Sequence, residues 1–98
     1  MTKAEIINKI AKETGLDKMT VRLVVESFIG NVKDSMISGE NVYLRGFGTF
    51  RVKKKAAKIA RNISKNEAIT IPEHYAPAFK PAKVFTKAVA ENVKQPVK

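Results

Sequence analysis

The stretch Arg51-Val-Lys-Lys-Lys-Ala-Ala-Lys-Ile-Ala-Arg-Asn-Ile-Ser-Lys65 holds seven Lys or Arg and no Asp or Glu. It follows directly on an aromatic, glycine-hinged run, Arg45-Gly-Phe-Gly-Thr-Phe50. The chemistry open to such a segment is neutralisation of a polyanion. Lys and Arg that meet phosphates release condensed counterions from DNA, and this release dominates sequence-independent affinity. On charge alone a basic run is as often a solvated face or a flexible tail. The pattern argues for more, because Arg51, Lys53 and Lys55 alternate along one side of an extended strand. Lys54, Lys58, Arg61 and Lys65 add cations along the limb and near its end. Ile63 is an apolar residue at an expected loop tip. On pattern alone a chance surface hydrophobe is its commoner explanation; the alternative is a wedge inserted between base steps from the minor groove.

No other constellation suggests chemistry. Glu5, Glu13, Asp17, Glu26, Asp34 and Glu40 are scattered among helix caps and polar faces, and none accompanies a nucleophile or cleft signature, so no enzyme is expected. The chain has no Cys and a single His74, which leaves neither a disulfide framework nor a His-based metal cluster; no metal, cofactor or small-molecule substrate is expected. Phe47, Phe50 and Phe79 could stack on bases, but their place within apolar β-type runs favours core packing. Asn62-Ile-Ser64 matches a glycosylation acceptor by accident, because the opening Met1-Thr-Lys-Ala-Glu-Ile turns charged too soon for a secretory signal. No apolar run approaches the roughly 18 to 20 residues of a membrane span. A soluble cytoplasmic protein with no membrane partner is expected.

The elements that must carry the basic segment come from the remaining residues. Residues 1–50 hold seven basic and six acidic side chains, whereas residues 51–98 hold twelve and three, so nearly all of the net charge of +10 lies in the second half. A near-neutral folding half thus precedes a half shaped for a polyanion. Thr2 with Glu5 forms a capping-box pattern, and Ala4, Ile6, Ile7, Ile10 and Ala11 recur at helical spacing until Gly15, which predicts a helix over 3–14. Asp17 can cap a second helix, whose Val21, Val24, Val25, Phe28, Val32 and Met36 lead to a stop at Gly39. Those positions with Ile29 span roughly 140° of the wheel, and Leu23 and Ile37 lie outside. One short neighbour cannot cover so much apolar surface, and a symmetric second copy is the simplest way to bury it.

Val42, Leu44, Phe47, Phe50 and Val52 then predict strands at about 41–45 and 48–60, with a second limb at Ala68-Ile-Thr-Ile-Pro72 after a polar link from Asn62 to Glu67. Together they make a β-hairpin arm without a core of its own. Limbs of roughly ten residues would project about 30 Å, comparable with one turn of duplex DNA. Pro77-Ala-Phe-Lys-Pro81 returns the chain to the body, and a last helix over about 82–92 should turn Val84, Phe85, Ala88 and Val89 inward, with Lys80, Lys83 and Lys87 at the surface.

At Gly46-Phe-Gly-Thr-Phe50, Ala56-Ala-Lys58, Ala60-Arg-Asn62, Ile71-Pro72 and Pro77-Ala-Phe-Lys-Pro81-Ala-Lys83 the chain resembles the bacterial HU/IHF family of histone-like DNA-bending proteins, HU most of all, from Met1 to about Ala90. The resemblance implies an α+β fold: two N-terminal helices, a three-stranded antiparallel sheet with a long β-ribbon arm, and a C-terminal helix, in an intertwined dimer. A single domain over 1–98 would divide into a helical dimerisation region (1–40), a saddle sheet (41–81) with its arm at about 53–74, the last helix (82–92) and a tail (93–98). The implied function is architectural: binding duplex DNA in the minor groove with low sequence specificity and bending or compacting it in the nucleoid. A homodimer is expected, with an IHF-type heterodimer subunit or a general RNA-associated basic protein as the alternatives.

Carried over by position, Lys53, Lys55, Lys58 and Arg61 correspond to arm cations, Lys80 and Lys83 to basic residues of the saddle and flank, and Lys3 to a body contact. The expected contact set also includes Arg51, Lys54, Asn62, Ile63, Ser64 and Lys65. Where the family usually reads Arg-Asn-Pro at the arm tip, this chain reads Arg61-Asn-Ile63, so the intercalating wedge falls to Ile63.

Overall fold

The computed structural model describes residues 1–62 and 67–96, with the side chains of Arg61, Asn62 and Glu67 left out of the description. Helix α1 (Lys3–Thr14) begins where the Glu5 amide donates to Thr2 Oγ1 at 3.2 Å and the Thr2 hydroxyl donates to the Glu5 carboxylate at 3.2 Å. It ends at Gly15, whose φ of 73° lets its N–H turn back to the Ala11 carbonyl. Helix α2 (Lys18–Ile37) is capped by Asp17, which accepts from the Thr20 amide, and stops at Ser38 before Gly39 with φ 87°. Both helices therefore run where caps and spacing predict. Lys3 Nζ lies 3.5 Å from Glu26 Oε1, joining the start of α1 to the middle of α2.

Strands β1 (Val42–Leu44), β2 (Gly48–Lys55) and β5 (His74–Pro81) form an antiparallel sheet in the order β1-β2-β5. A tight turn with Gly46 at φ 82° joins β1 to β2. Strands β3 (Lys58–Asn62) and β4 (Glu67–Ile71) pair only with each other. The expected single strand over 48–60 is thus broken at Ala56 and Ala57. Lys55 faces His74 and Lys58 faces Ile71, so two residues on each limb are skipped without a change of register. Counting on from either side sets Ala57 against Pro72, which has no N–H to give the ladder. The imidazole Nδ1 of His74 donates instead to the Pro72 carbonyl at 3.0 Å. The final helix, α3 (Lys83–Asn92), starts after the Ala82 amide has bonded to the Phe47 carbonyl.

The interior is small. Ile7, at 2% exposure, and Val21, at 3%, are the buried hydrophobic side chains among the described residues. A second cluster joins sheet to α3 through Phe47, Phe50, Phe79 and Phe85, with ring centroids 4.8 to 6.4 Å apart. Phe50 and Phe79 of the sheet and Phe47 of the β1–β2 turn therefore pack together, although Phe47 and Phe79 keep one side open. Of the α3 residues expected to face inward, Phe85 joins this cluster, whereas Val84 remains 67% exposed and Val89 is also exposed. The apolar stripe of α3 is wider than the one chain can cover. The same holds for α2, where Leu23, Val24, Phe28, Ile29 and Ile37 are exposed.

Candidate nucleic-acid interface

Period-2 alternation along β2 divides its side chains between two faces. Phe50 and Val52, opposite Phe79 and Pro77, take the side that packs with β1 Val42 and Leu44 and with α2. Thr49, Arg51, Lys53 and Lys55 take the other side, opposite Lys80, Ala78, Ala76 and His74, with Tyr43 beside Thr49. Opposed residues of an antiparallel pair share a face, so Lys80 joins the three β2 cations. None of these nine positions is acidic. Alanine at 76 and 78 leaves the Arg51 and Lys53 side chains standing above their neighbours. From Thr49 to Lys55 the row runs about 20 Å, long enough to follow several consecutive phosphates.

The row continues outward through Lys58, which lines with Lys53, Lys55, Ile71 and His74 an open cleft of about 560 Å³. At its other end Lys80 and Lys83 line a groove of about 400 Å³ together with Tyr43 and Arg45. Arg45 was absent from the expected contact set. Its signal is legible in retrospect as a cation immediately before the Gly46-Phe-Gly48 turn, but only the folded turn brings it beside Lys80 and Lys83.

Two of the expected contacts stand in exposed ion pairs within the chain. Lys54 stands on the opposite face from Lys53 and Lys55, across from Tyr75, and its Nζ lies 3.0 Å from Glu73 Oε1. Lys3 is paired with Glu26. Ile63, Ser64 and Lys65 lie outside the described residues, as do the side chains of Arg61 and Asn62. No group of three His, Cys, Asp or Glu positioned to hold a metal ion occurs among the described residues, and no helix there is long and apolar enough to cross a membrane.

Comparison with known proteins agrees with this geometry. Residues 1–90 match the family model described as bacterial DNA-binding protein. The chain belongs to the HU/IHF family. It is 43% identical over 89 residues to the prophage-derived DNA-binding protein HU 2 of Bacillus subtilis, covering 91% of this chain and 97% of that one. Integration host factor subunit beta of Marinobacter nauticus is 35% identical over 96 residues, 97% of this chain and 98% of its own length. Among solved structures, the HU–DNA cocrystal structure from Anabaena superposes with a TM-score of 0.86 at 31% identity, covering 92% of this chain and 98% of that one. The match takes in most of the chain, and the α+β HU fold expected from the residues is the fold the chain adopts.

Proposed function

We propose that this HU-family chain is an architectural DNA-binding protein of the nucleoid, which holds duplex DNA in the minor groove with little base specificity and bends it. The observation that carries the reading is the acid-free cationic face of β2 and β5, continued through Lys58 onto a two-stranded projection. Point charges on a rigid sheet attract backbone phosphate wherever it runs. A ribbon of two strands is narrow enough to enter a groove, and bending then brings more phosphates to the saddle.

A homodimer is part of this proposal. The two buried hydrophobic side chains among the described residues, beside exposed apolar faces on α2 and α3, are too little interior for a chain of 98 residues to stand alone. A symmetric partner laid on the Val24, Phe28 and Ile29 face of α2 would bury those residues against their counterparts. It would also double the cationic row. A second reading, an IHF-type subunit of a heterodimer, is favoured by the likeness to the beta subunit and by Arg45, whose forked guanidinium suits recognition of particular groove edges better than a lysine does.

The test is a titration of end-labelled duplexes by the purified chain, with energy transfer reporting bending and total binding read over a range of salt. The architectural reading expects shorter end-to-end distances on random and candidate-site duplexes alike. Strong discrimination between sites would favour the heterodimer-type reading, and binding without any change in end-to-end distance would remove bending. Equal competition by RNA of the same length would move the chain to the general basic class.

A further inference from the structure

Lys54 is the β2 cation whose charge is spent inside the molecule. Among the described residues no ion pair involves Arg51, Lys53 or Lys55, while Lys54 Nζ sits 3.0 Å from Glu73 Oε1. The pair lies at the root of the arm: Lys54 is one residue before the end of β2, and Glu73 occupies the two-residue interruption between β4 and β5. Lys53 and Lys55 flank Lys54, and Lys53, Lys54, Lys55 and Lys58 all border the same open cleft. Lys54 thus borders the cleft that a phosphate would enter, while its ammonium is held on the other face by Glu73.

We propose that Glu73 is a built-in competitor for DNA phosphate, which holds Lys54 in reserve and lowers the affinity of the arm root. The inference rests on the duplex-binding reading given above. Its physical basis is the balance of two weak attractions. Lys54 and Glu73 have side chains 55% and 57% exposed, and an ion pair this open is held loosely enough for a phosphate to displace the carboxylate. Displacement brings little net gain, because it leaves an unpaired Glu73 carboxylate beside a polyanion. A free lysine in the same place would release close to one counterion equivalent when it met a phosphate. With Glu73 present, the released DNA counterion is offset by a cation drawn to the bared carboxylate. Glu73 thus removes both affinity and salt sensitivity from one lysine per chain.

The experiment is a four-member cycle of the full chain: the unaltered protein, E73Q, K54Q and the double variant, each titrated with a random-sequence duplex over a series of KCl concentrations. Both positions are exposed, and unfolding followed by circular dichroism checks that all four are folded to the same extent. E73Q should bind about two- to five-fold more tightly at low salt, the range an exposed pair can yield. Its plot of log affinity against log salt should steepen by about 0.9 per chain. In the K54Q background the same Glu73→Gln change should give a distinctly smaller gain and no steepening. An equal gain and an equal change of slope in both backgrounds would mean that Glu73 acts only as a general negative charge, and would overturn the proposal, as would no gain from E73Q. The unaltered protein separates the two levels of argument: steep salt dependence without an E73Q effect removes the competitor alone, whereas a flat salt response in all four variants removes duplex binding by the cationic face as well.

Discussion

Gly48→Ala adds one methyl group where β2 leaves its turn and crosses Pro81 of β5. A Cβ built there stands 2.6 Å from the Lys80 carbonyl oxygen, 2.6 Å from Phe79 Cζ and 2.7 Å from Phe79 Cε1. Comfortable contact between carbon atoms is about 3.5–4.0 Å, so the neighbours would have to retreat by about 1 Å. Neither can do so freely. The Phe79 ring packs against Phe47 at 5.0 Å and Phe50 at 4.8 Å and can yield only toward its open side at the expense of those contacts, and the Lys80 backbone is held opposite Thr49 in the sheet.

Overpacking of this kind costs about 1–3 kcal/mol, and a clash with backbone belongs at the upper end. Loss of glycine freedom in the unfolded chain returns about 0.4–1 kcal/mol, leaving a net destabilisation of about 2 kcal/mol. The sign is diagnostic, because in an unobstructed strand alanine is favoured over glycine by about 0.5–1 kcal/mol. Urea unfolding followed by circular dichroism at one fixed protein concentration measures the change. Because a displaced Lys80 carries its side chain out of the cationic row, duplex affinity should fall alongside stability. A Gly48→Ala protein as stable as the parent would refute the packing of β2 against β5 on which the interface is built.

Lys53→Gln should reduce the magnitude of the salt slope of duplex binding by about 0.9 per chain, since Lys53 has no carboxylate partner among the described residues; an unchanged slope would place it off the phosphate path. Ile63→Ala, at the expected wedge, should reduce bending in an energy-transfer assay while the urea midpoint stays within experimental scatter, and a parallel loss of folding would assign Ile63 to a core instead. The thermal midpoint should rise with protein concentration if a second copy completes the interior, and a midpoint independent of concentration over a hundred-fold range would exclude the dimer as its source.

Much of the frame was legible because its signals are local. Thr2 with Glu5, Asp17, Gly15 and Gly39 act within one turn of chain, and the helices begin and end where those residues stand. The alternation of Arg51, Lys53 and Lys55 is equally local, and it placed them correctly on one face. The interruption at Ala56 and Ala57 was not legible in the same way, because its cause, Pro72, lies on the opposite limb and acts only through pairing. The partial covering of α3 depends likewise on how far the sheet reaches beneath it. Periodicity marks an apolar stripe without saying how much of it one chain will cover.

The amino-acid sequence by itself determined the charge division between the two halves, the helix limits, the family and the presence of a basic limb, since each follows from residue identity or from spacing along a few turns. Tertiary structure decided which cations act together. Antiparallel register put Lys80 beside Arg51 and Lys53, and the closing of the Gly46 turn brought Arg45 to Lys80 and Lys83. The same register sent Lys54 to the other face and into the reach of Glu73. In sequence the basic run of 51–65 is uniform, but Coulomb attraction depends on separation in space, and only the folded sheet distinguishes a lysine open to phosphate from one already paired.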